Sequence, residues 1–270
     1  ILGLCGAVMQ GLFRNPLADP GIIGVSGGAA LGAALAIVLL APLGQQLQSL
    51  LGLGLLPLLA FLGGALTTTL VYLLGTREGG TSVTVMLLAG VAITTLSGAV
   101  IGLLTYLADD QMLRNLSLWQ MGSLAAGKPV DVGLALLTLV ALLWLFMRDA
   151  NPLNALLLGE GEARHLGVNV QCLKRRLILL TAAGVGVAVA VAGMIGFVGL
   201  VVPHLVRLLA GPNHVRLLPL SALLGAALLL GADMLARTLL APAEMPVGII
   251  TALLGAPFFI WLLIKSRRTL

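Results

Sequence analysis

Charge is scarce in this sequence. Only 9% of its residues are Asp, Glu, Lys or Arg, against about a quarter in an ordinary soluble domain, so the chain cannot clothe a globule in solvated side chains. Aromatics are as thin, at 4%. No basic cluster is interleaved with them, so the net charge of +5 does not describe a nucleic-acid surface. The two cysteines, Cys5 and Cys172, lie far apart, one in an apolar run and one in a polar run, which gives neither a disulfide framework nor a metal-ligand spacing. The G-x-x-x-x-G-K-[ST] phosphate cradle is missing. Gly127-Lys128 is followed by Pro129, so any ATP the protein uses, with its magnesium, must be bound by another polypeptide. The apolar runs are also poor in the carboxylates and histidines that relay protons. An ion-coupled secondary transporter needs such groups at mid-membrane, although the hydrophobicity alone would suit one.

What the sequence has is hydrocarbon. It is 59% hydrophobic, with a mean hydropathy of +1.11. Because about 20 helical residues cross a bilayer core of roughly 30 Å, the chain allows about eight to ten crossings and leaves nothing for a soluble domain. The expected fold is an all-α polytopic membrane protein, a single transmembrane domain over 1–270, with about nine helices in this stretch. Apolar runs place helices at 1–13, 22–42, 53–75, 83–107, 132–147, 177–193, 218–237 and 247–264. A short broken crossing between Gly193 and Gly211 is interrupted by Gly193, Gly196, Gly199 and Pro203. Ile1 opens inside an apolar run, so at least one further helix is expected upstream.

The links carry the polar residues. Arg14 to Gly21 holds two prolines and forbids a continuous helix. Gln45, Gln46 and Gln48 form another link, and Thr76-Arg77-Glu78-Gly79-Gly80 reads as a turn. Asp109 to Gly122 reads as an amphipathic helix at the membrane interface, with Leu113, Leu116, Leu118, Trp119 and Met121 on its apolar side. Trp119, Met112 and Met121 are candidates for interface anchors or for an entry vestibule. The longest run unfit for a membrane is 151–176, which divides a first half (1–150) from a second (177–270). Gly159, Gly161 and Gly167 punctuate a short helical pattern there, Glu160, Glu162, Arg164 and His165 give it a polar face, and Lys174, Arg175 and Arg176 close it.

Lys and Arg counted in alternate links fix an orientation. Arg14, Arg77, Arg148, Arg164, Lys174 to Arg176, Arg216 and Lys265 to Arg268 fall in one set, and Arg114, Lys128 and Arg237 in the other. The first set, with the carboxyl terminus, is expected on the cytoplasmic side. Gly11-Leu12-Phe13-Arg14-Asn15-Pro16 echoes Gly199-Leu200-Val201-Val202-Pro203, as an inverted repeat or as chance similarity in Gly/Leu-rich sequence.

Three features resemble chemistry. Gly24-Val25-Ser26-Gly27-Gly28 fits a G-x-S-x-G pattern. That motif needs a strand running into a helix, whereas here it opens a small-residue membrane helix. An intramembrane serine protease built on Ser26 and His204 is the alternative to close helix packing. His204 follows Pro203 and is a candidate haem-iron ligand or a partner for backbone groups that the proline frees. Asp233 and Arg237 stand four apart and can pair on one helix.

Four segments, RNPLADPGIIGVSGGAALG, LLLGEGEARHLGV, GFVGLVVPHLVRLLAGPNHVRLLP and AEMPVGIITALLGAPFFIWLL, resemble the signatures of FecCD/BtuC-type permeases of bacterial ABC importers. That family takes up iron–siderophores, haem or cobalamin, and the segments look nearest to haem-uptake permeases. The resemblance implies about ten helices per subunit, the first and part of the second lying outside this numbering. It implies a homodimer in the inner membrane, two ATP-binding subunits and a periplasmic binding protein, with no cofactor bound by this chain. Gly159, Glu160, Ala163, Arg164, Leu166 and Gly167 fall in its coupling helices. Arg237, oriented by Asp233, matches its binding-protein contact. Ser82 and Thr84 fall at its cytoplasmic gate, with Ser26 in the pathway.

Overall fold

The computed structural model describes residues 1–40, 54–77, 80–125 and 127–267, so the Gln45–Gln48 link and the Glu78-Gly79 tip lie outside the described residues. In chain order the helices are α1 (Leu2–Leu12), α2 (Val25–Val38), α3 (Leu55–Gly75), α4 (Val83–Leu107), α5 (Asp110–Gln120) and α6 (Pro129–Arg148). They continue with α7 (Ala150–Leu157), α8 (Glu160–His165), α9 (Val170–Ala192), α10 (Val198–Ala210), α11 (His214–Thr238) and α12 (Val247–Arg267). A two-stranded hairpin, β1 (Thr76–Arg77) and β2 (Gly80–Thr81), joins α3 to α4. Five helices, α3, α4, α6, α9 and α11, are long and apolar enough to cross a membrane, and α1, α2, α10 and α12 contribute shorter apolar lengths. The expected all-α polytopic architecture is the observed one.

Polar caps set several helix starts. Asp109 accepts from the Met112 amide at 2.8 Å, Asn169 from Cys172 at 3.1 Å and Asn213 from Val215 at 3.0 Å. Each satisfies an amide that the first helical turn leaves without a carbonyl. Glycine sets the packing. A Cβ on Gly28 or Gly32 of α2 would run into the backbone of α3 at Gly63 or Leu59, and one on Gly6 of α1 would strike the Gly199 carbonyl of α10. Pro203 has no N–H to offer that carbonyl from the next turn, and the bare Cα of Gly6 lies against it instead. Small residues thus let backbones touch where lipid gives no hydrophobic incentive for helices to associate. The core runs through α1, α2, α9 and α11, with Leu4, Met9, Leu177 and Leu217 fully enclosed.

Three expectations need correction. The Arg14–Gly21 link does not stay beyond the end of α1. It folds back beside it, and the Pro20 ring packs on Gly199 at the level of Leu2, so the second crossing begins with an irregular segment turned at Asn15–Ala18, followed by a 3-10 turn (Pro20–Ile23) and α2. Helix α9 starts at Val170 rather than 177, so Lys174, Arg175 and Arg176 lie within its first turns instead of closing a loop. Gly199 and Pro203 do not break α10, because only 193–197 is non-helical and the helix runs through both. The Gly11/Gly199 echo therefore pairs a helix end with a helix interior. The better internal correspondence is between the starts of α2 and α10, which have 14 and 13 residues and each follow a residue with positive φ, Gly24 at 85° and Phe197 at 67°. The helix expected over Asp109–Gly122 is α5, and it is packed on the bundle. Leu116 is buried against α2, Met112 packs beside it and Trp119 packs on the main core, while Leu118 and Met121 face outward.

Candidate coupling and transport surfaces

The polar residues gather at the two ends of the bundle. At one end, Arg14 approaches Gly159, Asn154 bonds Asn213 and His214, and Thr81 bonds α9. At the other, the Ser123 amide donates to the Ala192 carbonyl at 2.8 Å, and Gly122 and Gly248 pack on the Met194 carbonyl. Helix α11 joins the two ends: His214 sits at the first and Arg237 at the second, about 35 Å away at 1.5 Å per residue. Among the described residues, the two Lys/Arg sets of the sequence separate between these ends.

At the first end, α7 and α8 form a shelf between α6 and α9. Gly159 links them with φ 123° and ψ 157°, a conformation essentially restricted to glycine. Helix α8 closes in a Schellman turn: Gly167, at φ 82°, donates to Arg164 and Val168 donates to Ala163, both at 2.9 Å. Ala163 is fully buried beneath the shelf, and Leu166 stands out from it, 64% exposed. Glu160 takes a 2.7 Å ion pair from Lys174 and a looser one, 3.8 Å, from the exposed Arg164. Arg14 ends α1 in the same Schellman pattern with φ 48°, holding its guanidinium beside Gly159. The six residues named for coupling from the sequence therefore lie together on the shelf, Ala163 on its buried underside and the other five along its outer side.

The other named residues are dispersed. Ser82 is the N-cap of α4, its hydroxyl 3.5 Å from the Val85 amide, and Thr84 is exposed two residues on, both beside the hairpin on the shelf side. Arg237 donates from Nε to Asp233 Oδ2 at 2.8 Å on the opposite end, 45% exposed. Ser26 lies in the first turn of α2, bordering a cavity of about 80 Å³ lined also by Asp19, Pro20, Gly196 and Gly199. That lining contains no imidazole to take a serine proton, and the segment before Ser26 is a 3-10 turn rather than a strand. The Ser26 motif therefore lacks the strand-to-helix elbow that a nucleophile of this kind needs. His204 packs edge-on to Phe258 with ring centroids 6.1 Å apart. Among the described residues no three His, Cys, Asp or Glu side chains are grouped to hold a metal.

Several linking residues escaped sequence reasoning. Lys174 is almost wholly enclosed yet charged, reaching Glu160 and the Thr81 carbonyl. Asp149, also enclosed, takes two bonds from Arg176. Asn154 Oδ1 meets both the amide and Nδ1 of His214 at 2.8 and 2.9 Å. Gln10 spans α1 and α10, donating to the Leu200 carbonyl at 3.1 Å and accepting from Arg207 at 2.9 Å. The only signal for them in the sequence is helical spacing: Gln171 and Lys174, three apart, share a face of α9.

These features define a polytopic helical membrane protein whose polar side chains are concentrated at its two ends. The chain belongs to the FecCD transport family, whose profile matches residues 1–265. It is 50% identical over 270 residues to the hemin transport system permease protein HmuU of Yersinia pestis, covering 99% of this chain and 78% of that one. It is 43% identical over 266 residues to the vitamin B12 import system permease protein BtuC of Vibrio cholerae, covering 98% and 78%. A solved ABC transporter of metal-chelate type, in an inward-facing conformation, superposes with a TM-score of 0.86 at 37% identity over 98% of this chain and 81% of its own. The chain is a multi-pass membrane permease of a transport system.

Proposed function

We propose that this chain is the membrane subunit of an ATP-driven importer, working as a homodimer with two separate ATP-binding subunits and a binding protein on the outer side, and that its cargo is haem. The observation that carries the reading is the shelf: a glycine-only link at Gly159, a buried Ala163 and a projecting Leu166, fastened to α9 and α11 by Glu160 and Asn154. A helix so mounted can receive a push from a partner and deliver it to the spans. The concentration of Lys and Arg at that end supports a cytoplasmic position for it and for the carboxyl terminus, leaving the Asp233–Arg237 pair to meet the binding protein. An exposed Thr95, Gly98 and Gly102 face on α4, with open space beside both glycines, supports contact with a second copy around a central path. Haem is favoured by the 50% identity to a hemin permease. Cobalamin is the second reading, favoured by the 43% identity to a vitamin B12 permease.

The test is reconstitution in proteoliposomes with the candidate ATPase and binding protein, comparing haem with cobalamin uptake. Gly159→Trp is expected to abolish ATP-dependent uptake while the permease still inserts. Uptake that persists without any ATPase sinks the reading and returns the secondary transporter. ATP-dependent cobalamin uptake without haem uptake corrects the cargo alone.

A further inference from the structure

The hairpin between α3 and α4 has an open edge that side chains of α9 complete. With Thr76 opposite Thr81 and Arg77 opposite Gly80, the amide and carbonyl of Thr81 both point away from its partner strand, as they do at alternate positions of an antiparallel ladder. Gln171 Oε1 accepts from the Thr81 amide at 3.0 Å, and Lys174 Nζ donates to the Thr81 carbonyl at 3.1 Å. Two side chains one helical turn apart thus stand in for a third strand. The same ammonium is ion-paired to Glu160 at 2.7 Å, and Glu160 opens α8. Lys174 is 3% exposed, so its charge has little water to fall back on and depends on these partners. Thr81 is itself buried and bonded through its hydroxyl to Thr76 at 3.1 Å. Ser82 and Thr84 follow directly, at the start of α4.

We infer that Lys174 is a positioning residue that couples the shelf to the α3–α4 hairpin, so that a displacement of α8 shifts the start of α4, where the passage would close. The inference rests on the importer reading, since the partner that displaces α8 is the ATPase. Mechanically, one ammonium shares its protons between a carboxylate on the shelf and a carbonyl on the hairpin. Moving Glu160 away either draws Lys174 from Thr81 or carries Thr81 along, and both change the register of Thr81 to α9. Among the described residues neither Arg175 nor Arg176 provides a second route to the hairpin, Arg176 being held by Asp149.

The experiment uses the whole complex in nanodiscs, with Thr84→Cys as the reporter in a Cys172→Ser background and a maleimide as the probe. Labelling rates are compared without nucleotide and with ATP plus vanadate, alongside ATP hydrolysis. With Lys174 present, nucleotide changes the labelling rate. Lys174→Met is expected to shrink that change by a factor of about ten, in the range found for residues that modulate coupling between sites, while the ATPase still binds and hydrolyses ATP. Lys174→Arg, which keeps the charge and the donors, is expected to restore it. A full nucleotide response in Lys174→Met overturns the inference and leaves the importer reading intact. Failure of the ATPase to bind the unmodified permease overturns the importer reading itself. Should Lys174→Met fail to insert, Glu160→Gln carries the test, and an undiminished response there overturns the inference equally.

Discussion

Two glycines two residues apart should respond oppositely to the same methyl group. Gly159 has φ 123° and ψ 157°, a region where a side chain costs about 1–3 kcal/mol. A Cβ there meets only an Arg14 nitrogen at 3.5 Å, an ordinary contact, so the penalty is conformational rather than steric. Gly161 lies inside α8 with nothing within 4 Å of the place a methyl would occupy, and Ala is favoured over Gly in a helix by about 0.8–1 kcal/mol. Gly159→Ala should therefore loosen the shelf by a factor of about 5–150, the equilibrium equivalent of 1–3 kcal/mol, and Gly161→Ala should tighten it by about fourfold. Hydrogen exchange of the amides of residues 160–168 in the detergent-solubilised permease reads this directly. The ATPase affinity should then fall in Gly159→Ala in proportion to the docked fraction. Equal exchange rates in the two variants, or no acceleration in Gly159→Ala, would refute the assignment of strain to that one link.

Other consequences can be measured independently. Gly28→Ala forces a methyl into the Gly63 backbone and should cost about 1–3 kcal/mol as an overpacked contact, seen as a lowered thermal midpoint in detergent, whereas Gly133→Ala on α6, where the space is open, should not lower it. Asn154→Ala removes the acceptor for the His214 amide and ring and should destabilise by about 1–3 kcal/mol, the cost of stranding a buried donor, while Asn154→Asp should recover most of it in a denaturant titration. Arg237→Ala removes a solvent-exposed pair with Asp233 of the kind that contributes little to a fold, so stability should hold while, on the importer reading, the binding protein's affinity drops, as surface plasmon resonance on the immobilised permease would record.

Much of the fold was legible because membrane helices advertise themselves. The runs at 53–75 and 83–107 coincide with α3 and α4 to within two residues, since hydrocarbon length and hydropathy impose the same limits on both. Asp109 was readable as a helix start because a carboxylate at that point caps an amide. The start of α9 was missed for the converse reason: hydropathy falls at Lys174–Arg176, but a helix continues through charged residues wherever partners meet them. Those partners, Glu160 and Asp149, are remote enough in sequence that no local pattern pairs them. The fold-back of 14–21 was hidden because two prolines announce a break but not its direction. That direction is set by Gly199, whose missing side chain makes room for the Pro20 ring. The residues assigned to coupling are neighbours in sequence and so lie together on one shelf, whereas the hydrogen-bonded connections that mount them are tertiary.

The glycine seams have an entropic side as well. A contact between ordinary side chains must freeze rotamers, at up to about 2 kcal/mol for a long one, whereas Gly and Ala have none to freeze. The seam of Gly28 and Gly32 against Leu59 and Gly63 is therefore joined with almost no configurational loss and offers almost no alternative arrangements. Interlocking side chains can slip from one set of rotamers to another. Bare backbones in contact have a single way to fit, so the pair α2 and α3 should respond to force as one stiff plank.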